Sequence, residues 1–255
     1  MKFLSSFVVA LFAWSAAPAA AQLSFADAQA AIESTDASRI QSGIESIGLS
    51  GEARGVPVLA ARIHRGLAPE LLESALDTLA VLGRAEAGPV LIALLSHRRA
   101  SVRLRAVQAL ATCHPAGADH ALTSALSDSA PEVRVAAATA LGDIGATSAI
   151  DQLFLAFDRG IHEAGLAIAR IARAEDVTRM LALVGHVPFT QMGPILADML
   201  GRITIPERAR LDVIAVLGEQ ASAQSRGLLE QYVQAHPGHS ALTRAAETAA
   251  ARIAQ

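Results

Sequence analysis

A repeat near 31 residues constrains this chain more than any other feature. The segment from Ser129 to Gly145 has a match one period earlier, from Ala100 to Leu110, and Val133-Arg134 aligns with Val102-Arg103. Extending the register gives a column of Ile40, Ala75, Ala106, Ala137, Ala164, Leu196 and Ala246. Four residues on lie Ile44, Leu79, Leu110, Leu141, Ile168, Leu200 and Ala250, and three further lie Ile47, Leu82, Cys113, Ile144, Ile171, Ile203 and Ile253. Offsets of four and three mark one face of an α-helix. Shorter aliphatic segments between these helices, such as Val56–Ala61, Pro89–Leu95 and Ala121–Leu126, read as a first helix for each pair. Gly48, Gly83 and Gly145 stand where a second helix wants a left-handed end, and Asp128 with Pro131 stands where one begins. The pattern predicts an all-α solenoid of about seven helix-turn-helix repeats.

Composition supports the same class. Hydrophobic residues make up 52% of the chain but aromatic ones only 4%, so the apolar mass is alanine and aliphatic. Disorder needs low hydrophobicity, and β-sandwiches or barrels draw on aromatic and β-branched residues. Small side chains suit helices stacked at close range, where no single pair buries its own apolar face.

The run Asp128, Pro131, Val133, Arg134, Ala137, Ala138, Ala140, Leu141, Ile144 and Gly145 resembles the HEAT repeat, in particular its bilin-lyase-like subgroup. The resemblance covers most of residues 24–254 and is sharpest in the third and fourth repeats. The fifth has Gly160-Ile161 in place of Val-Arg, and the sixth carries Pro194 inside its second helix. The aliphatic column advances by 35, 31, 31, 27, 32 and then 50 residues. An extra helix around Glu207–Leu217 fills the last gap, and the register from 174 to 220 admits a shift by one helix. The resemblance implies a superhelix whose second helices line a concave, partner-facing side. It also implies that Arg103 and Arg134 pair with acids or carbonyls across adjacent turns.

The N-terminus reads as an address. Lys2, the apolar run Phe3 to Trp14, Pro18 and Ala19-Ala20-Ala21 have the layout of a secretory signal peptide over residues 1–21, which leaves 22–255 as the solenoid. The expected product is exported, periplasmic or extracellular, and no later stretch is apolar enough to span a bilayer. Removing Lys2, the only lysine, makes the formal net charge of −3 one unit more negative. Schiff-base chemistry through a lysine is then excluded, and mild acidity disfavours nucleic acid and anionic membranes. Nucleic-acid binding would also want stacking aromatics, and only Phe25, Phe154, Phe157, Phe189 and Tyr232 lie beyond the signal. Cys113 is the single cysteine, so no internal disulfide forms, and its place in a core column makes it a buried small hydrophobe rather than a nucleophile.

On the second helices, the positions one before, two after and six after the first column form an outward stripe. Its charged members give the candidate partner-binding residues Arg105, Asp143, Arg170, Asp198, Arg202 and Arg252. Arg170, Arg202 and Arg252 form a row suited to carboxylate-bearing groups of a partner; the alternative is a solvated face with local pairs such as Asp198 to Arg202. The basic cluster His97-Arg98-Arg99 sits at a repeat turn. His162-Glu163 resembles the metal-ligand pair of the deoxyhypusine hydroxylases, but that family needs four such pairs and this chain has one. No catalytic residue, metal or cofactor is therefore expected. The sequence points to a non-catalytic scaffold or adaptor that binds a protein through its concave face, with self-association as one form of that binding. The alternative is a bilin-lyase-like enzyme or a carrier of a tetrapyrrole or other apolar ligand.

Overall fold

The computed structural model describes residues 23–254; the signal peptide read at 1–21 lies outside them. Among the described residues there are fifteen α-helices and no strand, only an isolated bridge between Val184 and Val187. The first repeat pairs α1 (Phe25–Ile32) with α2 (Ala37–Ser50), and the second pairs α3 (Gly55–Arg65) with α4 (Pro69–Leu82). Then come α5 (Gly88–Leu94) with α6 (Ala100–Cys113), α7 (Ala118–Ala125) with α8 (Pro131–Asp143), and α9 (Ile150–Asp158) with α10 (His162–Ile171). The C-terminal part holds α11 (Ala174–Leu181), α12 (Phe189–Gly201), α13 (Glu207–Glu219), α14 (Ala223–Ala235) and α15 (Ala241–Ile253). No described helix is long and apolar enough to cross a membrane.

The even-numbered helices stack in one row, each on the next from α2 to α14. The first helices form the other row, and its C-terminal end runs α11 on α13 and α13 on α15. The core lies between the rows. Every member of the first two sequence columns is buried, from Ile40 and Ile44 to Ala246 and Ala250. Each alanine removes little apolar area from water, roughly 25 cal/mol per Å², so the fold rests on many small contacts instead of a few large anchors.

Glycine sets how near two helices come. A Cβ on Gly142 of α8 would lie 2.9 Å from the Ala167 Cα of α10, a backbone atom with nowhere to go. At Gly165, the missing side chain leaves the space that Ile195 of α12 fills.

Helix ends follow the local chemistry. The Asp36 carboxylate accepts from Ser38 and Arg39 N–H to start α2, and Pro131 opens α8, where an N–H has no helical acceptor. Gly83 and Gly145 adopt the left-handed conformation past α4 and α8, with φ of 60° and 69°.

Three expectations are corrected. Gly48 lies inside α2, which runs on to Ser50, and Gly51 at φ 64° ends it. Ile203 is not a core residue: α12 stops at Gly201, so Ile203 falls in the following turn at 88% exposure while Ile205 is fully buried. The helix at 207–219 is not an insertion. It is α13, the first helix of the next repeat, and α14 is its second helix. That places α15, expected as a second helix, against α13 in the other row.

Candidate partner-binding face

The stripe is built from the helical period. Residues two positions after the first column, Ser42, Asp77, Gln108, Leu166 and Asp198, are exposed on successive second helices, with Thr139 half-buried among them. Two stripe positions are not on the surface. Ser46 is 8% exposed, and Ile195 is 1% exposed because it fills the gap at Gly165.

Charged stripe residues pair across repeats, not along a helix. Arg105 on α6 donates through Nη1 to both oxygens of Asp77 on α4 at 2.6 Å, and through Nε to Glu73 at 3.3 Å. Glu73 also accepts from the Ser101 hydroxyl at 2.7 Å; that hydrogen bond leads, and Arg105 adds to it, in holding its carboxyl below the usual range. Two steps along, Arg170 on α10 donates to Asp143 on α8. The acid lies on the earlier helix and the arginine on the later one in both cases. The first-helix row repeats this order, with Glu33 to Arg65 and Asp151 to Arg179, whose guanidinium also lies 3.9 Å over the Phe154 ring. Exposed pairs of this kind each contribute about 0–1 kcal/mol, so they fix orientation more than they stabilise.

The structure therefore pairs Arg105 with Asp77 and Arg170 with Asp143, and leaves Asp198, Arg202 and Arg252 out of any such pair among the described residues. Asp198 forms no pair with Arg202 among the described residues. Arg202 is the residue after α12, with extended backbone (φ −80°, ψ 116°), so the helical spacing that would join them is lost. Its Nε is buried without an acceptor, a state that costs on the order of 1–3 kcal/mol when nothing else satisfies the donor. Arg252 is off this face altogether. It sits on α15 beside Leu211 and Ile214 of α13, and a Cβ on Gly218 would come within 2.9 Å of its Nη2. A three-membered row of Arg170, Arg202 and Arg252 does not exist.

The basic cluster at the repeat turn divides in the same way. Arg103 donates from Nε and Nη2 to the Asp128 carboxylate at 2.7 Å each, and from Nη1 to the His97 carbonyl at 2.8 Å. Both side chains are 11% exposed. The hydrogen bond from Arg103 is the main reason the Asp128 carboxyl lies below the usual carboxylate range. Arg134 donates to the Asp128 and Ser129 carbonyls at 2.9 and 3.2 Å. These are the cross-turn roles the HEAT resemblance implies, while Arg98 and Arg99 stay exposed.

Cys113 is 4% exposed, with its thiol toward the Leu79 carbonyl at 3.5 Å, and burial pushes its pKa up, away from a reactive thiolate. His162 opens α10 as an exposed residue. Among the described residues no three His, Cys, Asp or Glu side chains gather as metal ligands would. One feature escaped the sequence reading: Arg173, three residues after Arg170, lines a cleft with Arg170 and Arg202 at the ends of their helices. The Arg-x-x-Arg spacing at a helix end was the available signal.

Comparison with known proteins bears on the fold. The HEAT repeats family matches residues 88–164. Among solved structures, the chain is similar to a chain in the complex of CpcE and CpcF of phycocyanin lyase from Nostoc sp. PCC7120. The TM-score is 0.51 at 21% identity, covering 96% of this chain and 99% of that one. An engineered protein aligns at a TM-score of 0.48 and 19% identity, over 89% of this chain and 67% of that one. No curated protein sequence matches. Residues 88–164 match HEAT repeats, and the described chain is a HEAT-like α-solenoid that shares its fold with the phycocyanin lyase chain.

Proposed function

We propose that the protein is an exported, non-catalytic scaffold that binds a protein partner along the row of second helices. One observation carries this reading: the exposed stripe continues from Ser42 to Asp198 over successive second helices, and its arginines Arg105 and Arg170 are already held by acids of the preceding helix. A surface whose long side chains are fixed loses less conformational entropy on binding. Leu166 and Val81, both on the stripe and 36% and 74% exposed, add apolar contact. The phycocyanin lyase chain that shares the fold is itself described in a two-protein complex, which supports binding through this architecture. Export rests on the signal layout of residues 1–21.

The test is site-specific photo-crosslinking in cells that export the protein. Probes at Gln108, Thr139 and Leu166 should capture one common partner, and a probe at Leu155, exposed on the first-helix side, should not. Capture from Leu155 alone, or none from the stripe, would overturn the reading. N-terminal sequencing of the exported chain should begin at Gln22. Stoichiometric visible absorbance after incubation with a linear tetrapyrrole would favour a carrier or lyase role.

A further inference from the structure

The turns that follow α8, α10 and α12 enclose a cleft of about 410 Å³, within the size range of small-ligand sites. Its polar lining comprises Thr147, Arg170, Arg173, Arg202 and Thr204. The three arginines differ in how they are engaged. Arg170 gives Nη1 to Asp143 and keeps its other donors. Arg173 and Arg202 have no carboxylate partner among the described residues; the Arg202 Nε is closed off from solvent, so its Nη groups are the donors open to a ligand. Asp143 is the carboxylate paired at the rim. In the first turn of α11, Asp176 accepts from the Arg173 backbone N–H at 2.8 Å, and Glu175 is exposed. The basic cluster around Arg103 is the instructive contrast, because there Asp128 already occupies the guanidinium fork.

We propose that this cleft is an oxyanion site that takes a phosphate group. Two guanidinium charges without partners match a dianion, and guanidinium donors suit the tetrahedral oxygens of phosphate in a paired, charge-assisted geometry. The Thr147 and Thr204 hydroxyls supply further donors on the lining. The cleft meets the partner-binding stripe at Arg170; its test reads inorganic phosphate instead of a protein partner and turns on Arg173, which is not on the stripe, so the two proposals fail independently.

Calorimetric titration of the full exported chain with inorganic phosphate, at ionic strength held constant with chloride, tests the proposal. A second arm uses glycerol phosphate. Saturable binding is expected, weakened at least tenfold by Arg173→Gln and by Arg202→Gln, and unchanged by the double variant Arg98→Gln/Arg99→Gln. Tighter binding of glycerol phosphate would assign an organic phosphate ester, and equal binding the free ion. Because Arg173 is exposed, its variant decides the matter even if Arg202→Gln fails to fold. Heat that does not saturate, or that is the same in Arg173→Gln as in the wild type, would overturn the proposal.

Discussion

Residues 88–164 and residues 174–254 solve the same stacking problem by different means. In the first region Arg103 ties its repeat to the next through Asp128, Arg134 closes the turn of its own repeat on the Asp128 and Ser129 carbonyls, and just beyond it Arg170 reaches back to Asp143. In the second region Ser222 and Ser240 cap their own helices. Arg202 and Arg210 keep buried Nε groups unpaired, and helices meet through small and aliphatic side chains, as where α15 covers Gly218 with Ala249. Beyond the Arg179–Asp151 pair no ion pair joins one repeat of this region to the next among the described residues, so the solenoid continues there on apolar packing. The polar ties give the repeat its recognisable sequence, and where they lapse the superhelix persists while the signature fades.

The largest expected effect sets a core leucine of one region against a core leucine of the other. Leu141→Ala and Leu217→Ala both empty a fully buried site and should each cost about 2–5 kcal/mol in urea denaturation. Hydrogen exchange should separate them. Since repeats couple mainly to their neighbours, Leu141→Ala should loosen helices on both sides of α8, and Leu217→Ala only α11 to α15.

The ion pair that marks the regular region comes next. Asp128→Asn should cost about 1.5–3 kcal/mol at neutral pH, the range of hydrogen bonds to charged groups. Its carboxyl is depressed in the folded state by Arg103. Its contribution is therefore complete above the unfolded carboxylate pKa and is lost as pH falls through the lower folded value. Urea midpoints of wild type and variant should differ at pH 7 and draw together as pH falls below the ordinary carboxylate range, whereas a gap independent of pH would remove the charge from the explanation.

Glycine contacts sharpen the contrast further. Gly142→Ala meets backbone, at 2.9 Å from the Ala167 Cα, and should cost about 1–3 kcal/mol. Gly218→Ala meets first the movable tip of Arg252, then the Ala249 Cβ at 3.2 Å, and should cost less than about 1 kcal/mol. Thermal unfolding of the two variants in parallel checks the order. Smallest is the exposed pair Arg170 and Asp143: a double-mutant cycle to alanine should return a coupling of about 0–1 kcal/mol that shrinks with salt.

Much of this architecture was legible in the residues. The columns from Ile40 and Ile44 onward locate the core because a helix with a fixed buried face repeats its apolar positions at three and four. Ile203 broke the pattern because periodicity does not record where a helix stops. The row of α15 was not legible, since first and second helices both bury an aliphatic stripe and the column through Ala246 and Ala250 fits either. Arg252 was misplaced for that reason. The cross-repeat pairing of Arg105 with Asp77 and of Arg170 with Asp143 was within reach, because each acid precedes its arginine by about one repeat. For Arg173 the Arg-x-x-Arg spacing marks the residue, but the cleft itself is not legible, because its lining comes from three separate turns.

The row assignment of α15 decides which residues share the binding face, and a designed disulfide tests it directly. A Cβ on Gly218 lies 3.2 Å from the Ala249 Cβ, close to the usual disulfide separation of about 3.5–4.5 Å. Gly218→Cys with Ala249→Cys should oxidise fully in the folded chain, leave Cys113 as a free thiol, and raise the stability of the C-terminal helices. A chain that stays helical yet leaves both new thiols free would contradict the packing of α15 on α13 and return Arg252 to the second-helix face.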